Sequence, residues 1–489
     1  MRRDRIGDWN MKLSAFAAVA AAAGLAPAAH AQAAAIEWRP HVHKLRSGES
    51  VEAQVGALIV PLRRDKPGAG SLTLRFVRLP ATKPTSAPPI VYLAGGPGGS
   101  GVEAAKGERW PLFETLRRDG DVILLDQRGV GLSDPPPSCG QPLQVPTDRV
   151  LTEAGLNAAI ATGLANCAAE WRAKGVDLDA YDTAENAADV ADLARALGGK
   201  VRLVTISYGT FLAFAVLRDH AAIVDRVVLA GTEGPEHTTK LPLQADRALA
   251  LLSRHAAADP AASKMTPDLE RSLRAVLERL EKAPVWAEAK GPDGQLQRIL
   301  IGKYDVQLVA AFMLATTPNA SRLPGLVAAM EQGQPGPMAN VALMLRRFLG
   351  SASAMTLAMD AASPVSPARE RQVAAEAKRS LFGNAVNFPS ADLATPLGIK
   401  VLPARFRTPL RTEVPALFIS GDLDSRTPPA NAEAVRKGFR TSGHLVLEGA
   451  GHDNDLFLSS PVILERIDGF LRGEPPRDET VKVQALKFD

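Results

Sequence analysis

Val201-Arg202-Leu203-Val204-Thr205-Ile206-Ser207-Tyr208-Gly209-Thr210 is the stretch on which the fold turns. Val201–Ile206 is a short apolar, β-branched run and reads as a strand. The residues after it, Tyr208 to Arg218, carry apolar positions at helical period. Ser207 alone separates the two. A turn this sharp lifts the serine hydroxyl above the edge of a sheet, and small residues two before and two after it let strand and helix approach closely. The usual pattern is Gly-x-Ser-x-Gly. Gly209 supplies the second glycine and Thr205 stands at the first. Taken alone, the serine also reads as an ordinary helix N-cap, so its neighbours have to decide.

Working outward, Val51–Leu62 and Ser71–Leu79 read as strands joined by the turn Asp65-Lys66-Pro67-Gly68. Pro84 to Pro89 is a loop, and Pro89–Leu93 is a strand that enters a glycine-rich turn. Val102–Arg118 has helical spacing, and Val122–Leu125 is another buried strand. Ala184–Leu197 is a helix stopped by Gly198-Gly199, and Val224–Ala230 is a strand. Strands alternating with helices argue for a mostly parallel sheet covered on both faces.

The alternation stops between 237 and 411, where the chain is Ala/Leu-rich with helical periodicity and few strand signals. It resumes at Pro415–Ser420 and His444–Leu447, and Pro461–Leu471 reads as a closing helix. The expected organisation is a leader over 1–31, a first core segment over 32–236, an inserted helical cap over 237–411, a second core segment over 412–473 and a loose extension over 474–489.

Arg2, Arg3, Arg5 and Lys12 precede an apolar stretch, Leu13 to Leu25, that ends in Ala29-His30-Ala31. That is the layout of a secretory signal peptide cleaved after Ala31, with Met11 as an alternative start. It points to a periplasmic or secreted protein. A membrane anchor is disfavoured because the apolar run is too short to span comfortably. The two cysteines of an exported chain, Cys139 and Cys167, are expected to be bonded to each other. The net charge is +4 over 489 residues with no Lys/Arg-rich run, which argues against a nucleic-acid partner. No Cys/His cluster suggests a metal site.

A serine hydroxyl needs a base, and the base needs an orienting carboxylate. In a sheet of this kind they follow the serine in the order acid, then histidine. Gly421-Asp422-Leu423-Asp424-Ser425-Arg426-Thr427-Pro428 follows the strand Pro415–Ser420, with Asp424 the better placed acid and Asp422 its rival. His452 sits on the turn Glu448-Gly449-Ala450-Gly451-His452-Asp453, whereas His444 begins a strand. Ala94-Gly95-Gly96-Pro97-Gly98-Gly99-Ser100-Gly101 follows the strand Ile90–Leu93 and can aim backbone N–H groups at an oxyanion. The donors expected are those of Gly96 and Tyr208. A phosphate loop is the competing reading, but the Lys and Ser/Thr of a Walker motif are missing.

The glycine-rich run Ala94–Gly98, Asp126-Gln127-Arg128-Gly129, the Ser207 turn, Asp424 and His452 together resemble the prolyl iminopeptidase and tripeptidyl aminopeptidase branch of the α/β-hydrolases, peptidase family S33. The resemblance runs from about Val51 to Leu471 outside the cap. The segment Gly421 to Pro428 is similar to the tripeptidyl aminopeptidase-like C-terminal region. Ala94 stands where the family has His, and Thr205 where it has Gly. The resemblance implies an α/β-hydrolase fold and release of residues from free peptide N-termini, with acidic side chains holding the substrate ammonium. Glu233 or Glu236, after the strand Val224–Ala230, fits that role by position. Asp126 and Arg128 are expected to brace the glycine-rich turn as a buried ion pair.

The function expected is an exported serine peptidase, an aminopeptidase working through an acyl-enzyme on peptide or small amide substrates without metal or organic cofactor. The same elements serve an esterase or lipase. A catalytically inactive binding protein of the same fold is the reading from another class, and the intact Ser, Asp and His set argues against it.

Overall fold

The computed structural model describes residues 35–136, 138–139, 145–291, 294–348, 353–388 and 392–488. The leader expected over 1–31 lies outside them. Twelve strands form among the described residues: β1 (Glu37–Lys44), β2 (Ser50–Pro61), β3 (Ser71–Leu79), β4 (Ile90–Leu93), β5 (Val122–Asp126), β6 (Val201–Ile206), β7 (Val224–Ala230), β8 (Val285–Lys290), β9 (Leu296–Ile301), β10 (Ala416–Gly421), β11 (Ser442–Glu448) and β12 (Glu479–Lys482). Ten of them make one sheet in the order β1-β2-β3-β5-β4-β6-β7-β10-β11-β12. The pairs from β1 through β3 to β5 are antiparallel, and the rest of the sheet is parallel.

The central strands are apolar almost without interruption because helices cover both faces. Every residue of β4, β5, β6 and β10 is buried. Val91 and Leu93 join one apolar cluster with the helix Tyr208–His220, while Ile90 and Tyr92 join the opposite cluster with the helix Pro461–Leu471. The serine turn is therefore anchored at the middle of the sheet, at the C-terminal end of its parallel strands, where open α/β sheets place ligands.

Three parts of the fold depart from expectation. β1, with the sequence Glu-Trp-Arg-Pro-His-Val-His-Lys, is a mostly exposed edge strand, and such edges carry charge and proline rather than apolar alternation. The tail after Gly473 is not a loose extension, since β12 pairs in parallel with β11 and buries Val481. The cap block contains a hairpin, β8–β9, whose β8 buries the small residues Ala287 and Ala289 and so resembles the surrounding Ala-rich helices.

The cap also recruits chain from before residue 237. Helix Glu153–Ala173 buries Leu156, Ile160, Leu164 and Trp171 in the same apolar cluster as Leu249, Leu273, Val309 and Leu323. Cys167 on this helix is bonded to Cys139. Among the described residues, no helix is long and apolar enough to cross a membrane.

Candidate active site

Ser207 follows β6 directly and starts the helix Tyr208–His220 with φ +55° and ψ −126°. For a non-glycine residue this backbone costs about 1–3 kcal/mol and persists only where its surroundings hold it. Here the Ser207 N–H donates to Ala230 O at 3.0 Å. The helix lies so close to β4 that a Cβ on Gly209 would stand 2.2 Å from Leu93 O. A Cβ on Gly95 would stand 2.9 Å from that of Ser207. Glycine is thus required after the serine. Before it, Thr205 fits because its buried hydroxyl donates to Val228 O on β7 at 2.8 Å.

Asp424 and His452 come from the turns after β10 and β11. His452 Nδ1 lies 2.7 Å from Asp424 Oδ2 and 3.0 Å from Thr427 Oγ1. Asp424 Oδ1 accepts the N–H groups of Arg426 and Thr427 at 2.7 and 2.8 Å, and Oδ2 accepts the Thr427 hydroxyl at 2.6 Å. Burial pushes this carboxyl up, but His452 and the Thr427 bonds outweigh it and hold Asp424 below the usual carboxylate range. Asp422 turns the other way and accepts the Gly449 N–H at 2.7 Å. With Nδ1 engaged, Nε2 is the nitrogen left for chemistry. Ser207 and His452 line one cavity without a direct bond between them, and such bonds commonly tighten only with substrate present.

Gly96 lies in the turn after β4 with φ +118°, and a Cβ there would strike Gly98 N at 2.9 Å. Tyr208 opens the helix after Ser207, and its buried phenol bonds Thr183 Oγ1 at 2.8 Å. Asp126 supports the glycine-rich loop by accepting the Ser100 hydroxyl at 2.6 Å and the N–H groups of Val102 and Leu132. It does not pair with Arg128. That side chain reaches past the sheet instead, to both oxygens of Asp189 at 2.7 Å and to the carbonyls of Leu62 and Ala180. The ion pair expected between Asp126 and Arg128 is replaced by two separate anchors, because two residues on along a turn the side chains diverge.

Ser207, Gly96 and Arg426 line two cavities. An outer cleft of about 1050 Å³ runs past His452 and Arg109, and an inner chamber of about 600 Å³ lies under the cap. Glu233 borders the inner chamber but is taken up by Lys240, whose Nζ lies 2.7 Å away. The Glu236 carboxylate is taken up by the N–H and hydroxyl of Ser366 and does not line the chamber. The sequence reading missed Asp360. It stands on the cap helix Ala354–Ala362 and faces the chamber with no hydrogen-bond or ion-pair partner among the described residues. Its side chain is open to the chamber, and the dense protein around that chamber, with the nearby charge of Glu233, pushes its carboxyl up to about 7. Its only signal in sequence is a lone carboxylate in Ala-Met-Thr-Leu-Ala-Met-Asp-Ala-Ala.

A second Ser-His-acid chain exists. Ser420 Oγ lies 3.0 Å from His444 Nε2, and His444 Nδ1 lies 2.7 Å from Glu433. Ser420 is wholly buried within β10 and borders none of the cavities near Ser207. Among the described residues, no group of three or more His, Cys, Asp or Glu side chains could hold a metal ion.

Comparison with known proteins identifies the fold family. Residues 88–456 match the family model of the alpha/beta hydrolase fold. The serine protease Hip1 of Mycobacterium tuberculosis, and its counterpart in Mycobacterium bovis, are 29% identical over 193 residues, 37% of this chain and 36% of theirs. The match thus spans about a third of the length of these curated relatives. Solved structures that are similar include one described under novel epoxide hydrolases in metagenomes from hot environments, at 15% identity and a TM-score of 0.37, covering 90% of this chain and 100% of that one. Another is a thermophilic esterase from Thermogutta terrifontis, at 16% identity and a TM-score of 0.34, covering 85% and 98%. With three quarters of its length matched from β4 to the turn beyond His452, the chain is a hydrolase that belongs to the alpha/beta hydrolase fold family.

Proposed function

We propose that this chain is an exported serine peptidase of the S33-like branch, an aminopeptidase that releases residues from free peptide N-termini. His452 Nε2 takes the proton of Ser207 Oγ as the hydroxyl attacks the scissile carbonyl carbon. Asp424 holds the imidazole in the needed tautomer and stabilises its positive charge. The N–H groups of Gly96 and Tyr208 receive the developing oxyanion. The proton then passes to the leaving amine, and water resolves the ester by the same steps. No metal or organic cofactor takes part.

The observation that carries the reading is Asp360. A carboxylate facing the chamber beside the nucleophile, with no partner among the described residues, suits a substrate ammonium. Glu233 and Glu236 are each engaged elsewhere, so Asp360 takes the role that the resemblance implied for them by position. The Cys139–Cys167 bond favours an oxidising compartment and hence export.

The test is a fluorophosphonate probe, followed by a panel of aminoacyl and short peptidyl amides beside p-nitrophenyl esters. Labelling is expected at Ser207 and is expected to vanish in Ser207→Ala. Labelling that survives this change removes Ser207 as nucleophile. Turnover of esters alone moves the chain to the esterase class.

A further inference from the structure

The turn that carries His452 is gripped from two sides. On the core side Arg109 pairs with Asp453 and bonds Asn454 Oδ1 at 3.0 Å and the Tyr92 hydroxyl at 2.6 Å. Asp453 itself is a non-glycine residue at φ +66°, so this turn, like Ser207, needs to be held.

On the other side it meets the cap. The cap helix Lys303–Met313 ends in Leu314-Ala315-Thr316-Thr317, and the last carbonyls of a helix have no partner within it. The carbonyls of the C-cap and of the residue after it are taken by the loops of the site: Leu314 O accepts the Ser425 hydroxyl at 3.2 Å, and Ala315 O accepts the His452 N–H at 2.8 Å. Asp455 closes the junction. Its Oδ2 accepts the Gly451 N–H at 2.9 Å, the Thr317 N–H at 3.0 Å and the Thr317 hydroxyl at 2.8 Å. A Cβ on Gly451 would lie 2.9 Å from that oxygen and 3.0 Å from Thr317 N, so the two turns touch backbone to backbone. Leu423, between the two acid-loop aspartates, is buried in the apolar cluster of the cap.

We propose that Asp455 is a positioning residue for the base, tying the His452 turn to the cap turn 314–317 so that the aim of Nε2 at Ser207 depends on a seated cap. Asp455 borders neither cavity beside Ser207 and acts through the backbone on either side of His452. The inference rests on Ser207 and His452 acting as nucleophile and base.

Phosphonylation of Ser207 in the wild type is measured first, and an unlabelled wild type counts against the nucleophile itself. Asp455→Ala is then compared by phosphonylation rate, kcat and KM. Misaiming a reacting group by about 1 Å costs about 100-fold, so kcat and phosphonylation are expected to fall by about that factor with KM unchanged. Asp455→Asn keeps an acceptor oxygen and is expected to recover most of the rate. Thr317→Val removes one of the three bonds and is expected to slow both rates about fivefold. It keeps the test open if Asp455→Ala does not fold. Folded Asp455→Ala with wild-type rates, or a loss confined to KM, overturns the positioning role while leaving the nucleophile standing.

Discussion

Replacing Asp360 with asparagine tests the peptidase reading at its narrowest point. Asparagine matches aspartate in shape, so the helix Ala354–Ala362 keeps its packing and only the charge facing the chamber is lost. On the proposed reading, a peptide that fills the chamber brings its ammonium to this carboxylate and displaces the water around it. Truncating one partner of such a desolvated pair costs about 2–5 kcal/mol, or about 30-fold or more in kcat/KM at tenfold per ~1.36 kcal/mol. Free and N-acetylated forms of one amide substrate are compared in wild type and Asp360→Asn. Wild type is expected to prefer the free amine by at least about 30-fold, and Asp360→Asn is expected to erase that preference. The pH profile adds an independent sign. With its pKa pushed up to about 7, the empty-site carboxyl gains its charge only as pH rises through neutrality. The peptide amine loses its proton above about 8. Activity on the free peptide should therefore rise to a narrow optimum between the two. On the acetylated substrate, and in Asp360→Asn, the limb due to Asp360 should disappear. An undiminished amine preference in folded Asp360→Asn refutes the assignment.

Two further outcomes follow from other carboxylates. Asp424→Asn should cost several orders of magnitude in kcat because it loses the charge beside His452 Nδ1, whereas Asp422→Asn, whose partner is the Gly449 N–H, should stay active; the reverse pattern in steady-state kinetics would name Asp422 as the acid. Asp119, buried and facing Asp468, has its carboxyl pushed up to about 6. The folded state therefore holds this proton more tightly than the unfolded chain, so the contribution to stability is present below about pH 4 and is lost as pH rises toward 6. Asp119→Asn should raise the melting temperature at pH 8 and give a smaller gain at pH 5, checked by thermal melts at both.

What was legible in the sequence follows from what each element buries. β6, β7 and the helix Pro461–Leu471 stand at the bounds read from their residues because their apolar pattern is set by the sheet on which they lie. β1 and β12 were not, since an edge strand meets solvent and carries little pattern. Glu233 and Glu236 fit an ammonium by their position after a central strand, and position alone cannot say that Lys240 and Ser366 already occupy them. Asp360 lies some 150 residues beyond the serine, and only the folding of the cap over the sheet brings it to the chamber.

The chain Ser420–His444–Glu433 shows why hydrogen-bond distances alone do not make a site. Its distances equal or better what an activated serine needs, and the order of residue types is right. Yet Ser420 lies within a central strand, and its chain of bonds serves to satisfy polar groups that β10 and β11 bury. Ser207, which makes no direct bond to His452, differs above all in its backbone. A left-handed φ of +55° at the end of β6 takes its hydroxyl out of the sheet to the junction of two cavities. That conformation is maintained by contacts a sequence can record, Gly209 against Leu93 O and Gly95 against the serine Cβ. Backbone strain at Ser207, rather than the presence of a histidine beside a serine, is what separates the proposed catalytic arrangement from the structural one.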